Sequence, residues 1–166
     1  MAGMRQVVMA NLHVTLHFLG SVDASRLDEV RALASRLPPD RLSIPVRELT
    51  GFPKPARARV LVARLDDAEE HLLAWQAELA ERWPTGETRR FDPHVTVARS
   101  RQPVRLPELP AISGLALDLE LEQADRVLNS AQCDKSIDVG EHRARAVDGV
   151  VHLLAQSDRD FTGICK

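Results

Sequence analysis

The sequence predicts an α+β fold with mostly antiparallel sheet, and three observations carry that expectation. Short segments in which apolar and polar residues alternate, the period of a half-buried strand, recur along the chain. Between them lie two stretches with apolar residues at helical spacing. Glycine- and proline-bearing turns join neighbouring strand segments, so hairpins make up much of the connectivity.

Residues 11–19 read Asn-Leu-His-Val-Thr-Leu-His-Phe-Leu. Leu12, Val14, Leu16 and Phe18 alternate with His13, Thr15 and His17, which predicts a strand with one polar face, ended by Gly20. Leu27, Val30, Leu33, Ala34 and Leu37 then recur at helical spacing until Pro38 and Pro39, predicting a helix over about 24–37. Residues 42–50 and 59–65 are rich in branched side chains and are separated by the turn Gly51-Phe52-Pro53-Lys54-Pro55, as two neighbouring strands would be. Asp66 or Asp67 can cap a second helix, with Glu69 or Glu70 in the reciprocal position. Its buried stripe is Ala68, Leu72, Trp75, Leu79 and Trp83, and it ends before Pro84.

Residues 94–98 repeat the first pattern, with Val95 and Val97 opposed to His94, Thr96 and Ala98. A connection through Pro103, Pro107 and Pro110 leads to residues 115–121 and 124–128, read as a hairpin, and 150–154 reads as a further strand.

A chain of 166 residues is long enough for one well-filled core, so a single domain over 1–166 is expected. Hydrophobic residues at 44% and charged residues at 28% exclude a largely disordered chain. No apolar run has the length of a membrane span, and residues 1–10 lack the apolar stretch of a secretory signal, so the expected location is the cytoplasm. Cys133 and Cys165 lack the paired spacing of a zinc site or disulfide framework and are read as free thiols. The net charge of -2 excludes a uniformly basic protein that holds nucleic acid by charge alone. Any basic site is local, and all basic residues but Lys54, Lys135 and Lys166 are arginine, the side chain best shaped for bidentate contact with phosphate.

His-x-Thr occurs twice, at His13 to Thr15 and His94 to Thr96, each time in a short apolar strand with both polar side chains on one face. If the two strands face one cleft, two imidazoles and two hydroxyls converge on a space about the size of a phosphate. Opening a cyclic phosphate by water needs a base for the attacking water and an acid for the departing oxygen. Histidine serves both tasks near neutral pH, and hydroxyls can donate to the non-bridging oxygens while charge builds up in the pentacoordinate state. That scheme requires no metal.

The run from Asn11 to Gly20, with Pro93-His-Val-Thr-Val-Ala-Arg99, resembles the motif pair of the 2H phosphoesterase superfamily. Within it, the chain is most similar to the bacterial and archaeal RNA 2',3'-cyclic phosphodiesterases, also called 2'-5' RNA ligases. The Gly51-Phe52-Pro53 turn followed by Arg59-Val60-Leu61 resembles the middle segment of that family, so the likeness covers about residues 11–130. The resemblance implies two pseudo-symmetric lobes of mostly antiparallel sheet, helices outside and a central cleft. It implies His13 as proton donor, His94 as proton acceptor and Thr15 and Thr96 as phosphate ligands. The implied reaction opens a terminal 2',3'-cyclic phosphate to a 2'-phosphate without a cofactor, and reverse 2'-5' joining is implied with it. RNA ends or tRNA halves would be the partners, and a monomer the working form.

Family members carry a strand and a helix before the first motif, whereas ten residues precede Asn11 here. The N-terminal strand-helix unit is therefore expected to be missing, leaving a gap in one sheet for residues 150–154 or a partner chain to fill. Residues 131–166 have no counterpart in the resemblance.

Bland readings stand beside these. His17 shares the expected face of His13 and either lines the cleft or faces solvent. A zinc site from His13, His17 and His94 is conceivable, but residues four apart converge on a metal from a helix, and the local pattern is a strand. His71, His142 and His152 have no motif around them. Arg99 and Arg101, and Lys54, Arg57 and Arg59 beside the turn, either contact the RNA backbone or form solvated surface. Phe52 either stacks on a base or plugs the core. Two rival functions remain: a 2H phosphodiesterase of another cyclic or 2'-5' linked nucleotide, and a non-catalytic RNA-end binding module or fragment.

Overall fold

The computed structural model describes residues 3–37, 42–112, 114–121 and 147–156. The expected strand at 124–128, His142 and both cysteines lie outside them. In chain order the elements are β1 (Arg5–Gln6), a 3-10 turn at Met9–Asn11, β2 (His13–Val22), a 3-10 turn at Ala24–Arg26 and α1 (Leu27–Ala34). Next come β3 (Leu42–Phe52), a 3-10 turn at Pro55–Arg57, β4 (Ala58–Leu65) and α2 (His71–Arg82). The strands β5 (His94–Val104), β6 (Ala116–Leu121) and β7 (Val147–Gln156) complete the set.

All the strand pairings are antiparallel, and together they make one curled sheet in the order β1-β5-β2-β7-β6-β3-β4. A further β4–β5 pairing closes it on itself, with β1 added to β5. Closure leaves few strand edges unpaired. The seam between β2 and β5 is its thinnest point, held by the single pair Val14↔Val95.

The predicted α+β class with outside helices agrees with this architecture. Val30 and Leu33 of α1 and Leu72 and Leu79 of α2 join Val14, Leu61, Ala63, Val95, Leu117 and others in one core. Each helix buries one stripe, as the 3.6-residue spacing of its apolar positions requires. Residues 147–156 form a strand, as the segment 150–154 led one to expect, and it lies between β2 and β6. A short strand also precedes the first motif, because β1 pairs with β5 through Arg5↔Arg99 and Gln6↔Ala98.

Several local expectations are corrected. Gly20 does not end the first strand: at φ +69° it is accommodated within β2, which runs on to Val22. The alternation in β2 breaks at a bulge, since Thr15↔His152 is followed by His17↔Val151 and Leu16 is the extra residue. The phase flips there, so His17 is buried at 6% exposure and Phe18 is turned out at 60%. A matching bulge in β5 lies at Val97, between Val62↔Thr96 and Leu61↔Ala98, and it buries Ala98 instead of leaving it beside Thr96.

The first helix is shorter than expected, a 3-10 turn followed by eight α-helical residues. The second begins only at His71, with Ala68 exposed and outside its stripe. Asp67 still serves its N-terminus, its Oδ2 accepting from the Leu73 N–H at 3.0 Å.

Candidate active site

The site begins with two buried valines. Val14 and Val95 pair across the β2–β5 seam and are fully buried, so the flanking residues of both strands point to the other side of the sheet. Extending that register by one residue sets His13 across from Thr96 and Thr15 across from His94. Four polar side chains thus make a two-by-two block, with the histidines on its diagonal, positions about 7–8 Å apart in an antiparallel pair. That spacing admits a phosphate between two imidazoles.

Both imidazoles are oriented in the same way. His13 Nδ1 lies 2.9 Å from the Asn11 carbonyl oxygen, and His94 Nδ1 lies 2.6 Å from that of Asp92. A carbonyl only accepts, so Nδ1 carries the hydrogen in each ring, and in the neutral form Nε2 holds the lone pair. The bulges at Leu16 and Val97 follow the two threonines at the same offset, so local backbone and ring orientation match in the two motifs.

Around His94 the register builds further rows on the same face of the sheet. Glu48, Arg64 and His94 lie side by side across β3, β4 and β5. Thr50, Val62 and Thr96 form the next row, and Phe52, Val60, Arg99 and Arg5 the third. Phe52 reaches His94 edge-on, with ring centroids 5.1 Å apart and planes at 76°. Arg64 binds Asp92 Oδ2 through Nε at 3.0 Å and Nη2 at 2.6 Å, and Glu48 Oε1 through Nη1 at 3.0 Å. Hydrogen bonds from Arg64 to Asp92, and then to Glu48, raise its pKa above the ordinary arginine value, so the guanidinium stays charged.

Of the residues singled out from sequence, His13, Thr15, His94 and Thr96 are brought together, and Phe52 packs against His94. Phe52 is half-buried, between the two roles expected for it. Arg99 is exposed on the same face, opposite Arg5. Arg101, Lys54, Arg57 and Arg59 are exposed, and none has an ion-pair partner among the described residues. His17 is not on the face of His13, where the alternation put it: its Nε2–H donates to the Trp83 carbonyl at 2.8 Å. The three-histidine zinc arrangement therefore does not form, because the bulge at Leu16 turns His17 away. His71, read without a motif, is exposed and bonded to Glu69 at 2.9 Å.

Arg5, Arg64 and Asp92 were not singled out. Like charges directly opposite, as in Arg5↔Arg99, are unfavourable in an antiparallel pair unless an anion joins them. Neither has a carboxylate partner among the described residues. Asp92 stands two residues before His94, a detectable sequence signal, but the contact with Arg64 requires the tertiary register.

The family model described as the 2'-5' RNA ligase superfamily matches residues 6–126. An Aeropyrum pernix protein named RNA 2',3'-cyclic phosphodiesterase is 30% identical over 116 residues, which cover 64% of this chain and 62% of that relative. The chain thus matches less than two thirds of that relative's length.

Among solved structures, Escherichia coli LigT complexed with 3'-AMP superposes with a TM-score of 0.53 at 19% identity, covering 94% of this chain and 82% of LigT. A Thermus thermophilus protein gives a TM-score of 0.53 at 23% identity, covering 95% of this chain and 85% of its own. At these identities the likeness concerns the fold. Among the described residues no helix is long and apolar enough to cross a membrane, and no group of three His, Cys, Asp or Glu side chains is placed to hold a metal ion.

Proposed function

Because this chain belongs to the 2'-5' RNA ligase superfamily, among the RNA 2',3'-cyclic phosphodiesterases of the 2H type, we propose that it opens a terminal RNA 2',3'-cyclic phosphate to a 2'-phosphate. The observation that carries the reading is the antiparallel pairing of the two His-x-Thr segments through Val14↔Val95. His94, with Nδ1–H bonded to the Asp92 carbonyl, presents the lone pair of Nε2 and takes a proton from the attacking water. The water oxygen bonds to phosphorus while the bond to the 3'-oxygen breaks, and His13 delivers a proton to that leaving oxygen. Thr15 and Thr96 donate to the non-bridging oxygens, holding the phosphorus in line as charge accumulates. With the 5'-hydroxyl of a second RNA end in place of water, the same steps form a 2'-5' linkage as the bond to the 3'-oxygen breaks, and run backwards they open one.

Substrate recognition is assigned to the surrounding rows. Phe52 offers its half-buried ring to the terminal base, and Arg99 with Arg5 takes a neighbouring phosphate. A phosphate beyond the reacting one favours an RNA end or tRNA half over a small cyclic nucleotide. The accompanying organisation is one domain over 1–166 with two pseudo-symmetric lobes, β2 and β7 in one answering β5 and β4 in the other, and the cleft at their seam. A cytoplasmic monomer acting without cofactor completes the proposal.

The test is incubation in EDTA with a short RNA ending in 2',3'-cyclic phosphate, the product identified by phosphatase treatment and chromatography. A 2'-phosphate is expected, with turnover reduced by about 10²–10⁴-fold in His13→Ala and His94→Ala. Activity lost in EDTA and restored by zinc would sink the two-histidine scheme.

A further inference from the structure

We infer that Arg64 is a positioning residue for His94, acting through Asp92 and Phe52; this rests on the reading of His94 as the proton acceptor. The imidazole of His94 is fixed by two neighbours. Its Nδ1–H donates to the Asp92 carbonyl at 2.6 Å, and the Phe52 ring meets it edge-on at 5.1 Å. Arg64 touches both. Its Nε and Nη2 hold Asp92 Oδ2, and its guanidinium carbon lies 5.7 Å from the centroid of the Phe52 ring. Nη1 is tied to Glu48 on the far side, so the guanidinium is clamped between β3 and the segment that leads into β5. With two carboxylates on one guanidinium, Arg64 is occupied as a brace and is not available as a phosphate ligand.

The brace suits the proton-transfer task given to His94. An imidazolium carries N–H on both nitrogens and donates after a ring flip, whereas a neutral base must keep its hydrogen on Nδ1 for Nε2 to accept. The histidine braced by Arg64 is the one that needs a single tautomer.

Nitrogen-15 NMR of histidine-labelled protein reads that tautomer without substrate. In the native protein at a pH where His94 is neutral, the Nδ1–H form is expected to dominate. Arg64→Leu is expected to populate the Nε2–H form and to lower kcat by about 10- to 100-fold with KM nearly unchanged. Arg64→Lys, which keeps charge but loses the planar fork, is expected to fall between. Should Arg64→Leu not fold, Asp92→Asn carries the same measurement, since it weakens the brace and leaves the carbonyl in place. An unaltered His94 tautomer with unaltered kcat in a folded variant overturns the inference. Native protein that does not turn over the cyclic phosphate would refute the functional reading alone, and the tautomer comparison would still decide the role of Arg64.

Discussion

His13 and His17 lie on opposite faces of one strand, and the difference arises from a single extra residue. His13 and His17 are four apart in a strand whose strict alternation would set them on the same face. The bulge at Leu16 separates them, sending His17 into the interior where it holds the Trp83 carbonyl. His17→Leu is expected to leave that carbonyl without its donor and to destabilise the protein by about 1–3 kcal/mol in urea unfolding, with kcat retained at low temperature. Equal loss of activity and stability would return His17 to the site. The threonines are expected to behave oppositely. On the proposed mechanism Thr96→Val removes a donor to the phosphate, and kcat should fall about 10²-fold with little change in the melting temperature, while Thr96→Ser keeps the hydroxyl and most of the rate.

At the scale of elements, the site depends on how the β3–β4 hairpin closes. Gly51 precedes Phe52, and a Cβ there would stand 2.6 Å from both the Ala58 Cβ and the Leu106 Cδ1. No side chain fits without displacing the hairpin or the segment that carries Leu106. Gly51→Ala is therefore expected to cost about 1–3 kcal/mol and to lower activity as well, because Phe52 moves with the backbone. Urea titration and kcat on the same sample check both effects. The helix α2 is attached to the sheet by a pair of reciprocal bonds, His17 to the Trp83 carbonyl and Trp83 Nε1–H to the Leu19 carbonyl at 3.2 Å. The existence of both helices and of strands β2 to β7 could be read from periodicity, because that signal is local. Bulges, early helix ends and the two-residue β1 could not, since each depends on what the partner strand or packing neighbour demands.

For the whole molecule, closure is the property that joins the two motifs. Following the sheet from β2 through β7, β6, β3 and β4 leads back to β5, so the seam of His13 and His94 is held by the remainder of the ring. The strand β7 is one link, paired with β2 over His13–Val22 and with β6 over Asp118–Leu121. Leu153→Pro, at the position that pairs with both Val14 and Leu121, is expected to remove a ladder hydrogen bond and weaken the ring. Circular dichroism should show a broadened or lowered unfolding transition, and activity should fall although residue 153 belongs to neither motif. An unchanged transition would mean that β7 is dispensable to closure.

Alternation, helical spacing and short motifs are encoded by neighbours in the chain, and from them alone follow the α+β class, the two histidine-threonine strands and the family. It took the folded molecule to establish that Arg64 braces Asp92, that Arg5 faces Arg99, that His17 turns inward and that residues 147–156 complete the sheet. Those outcomes depend on cross-strand register, a relation between segments far apart in sequence, and one inserted residue is enough to exchange the inner and outer faces of a strand.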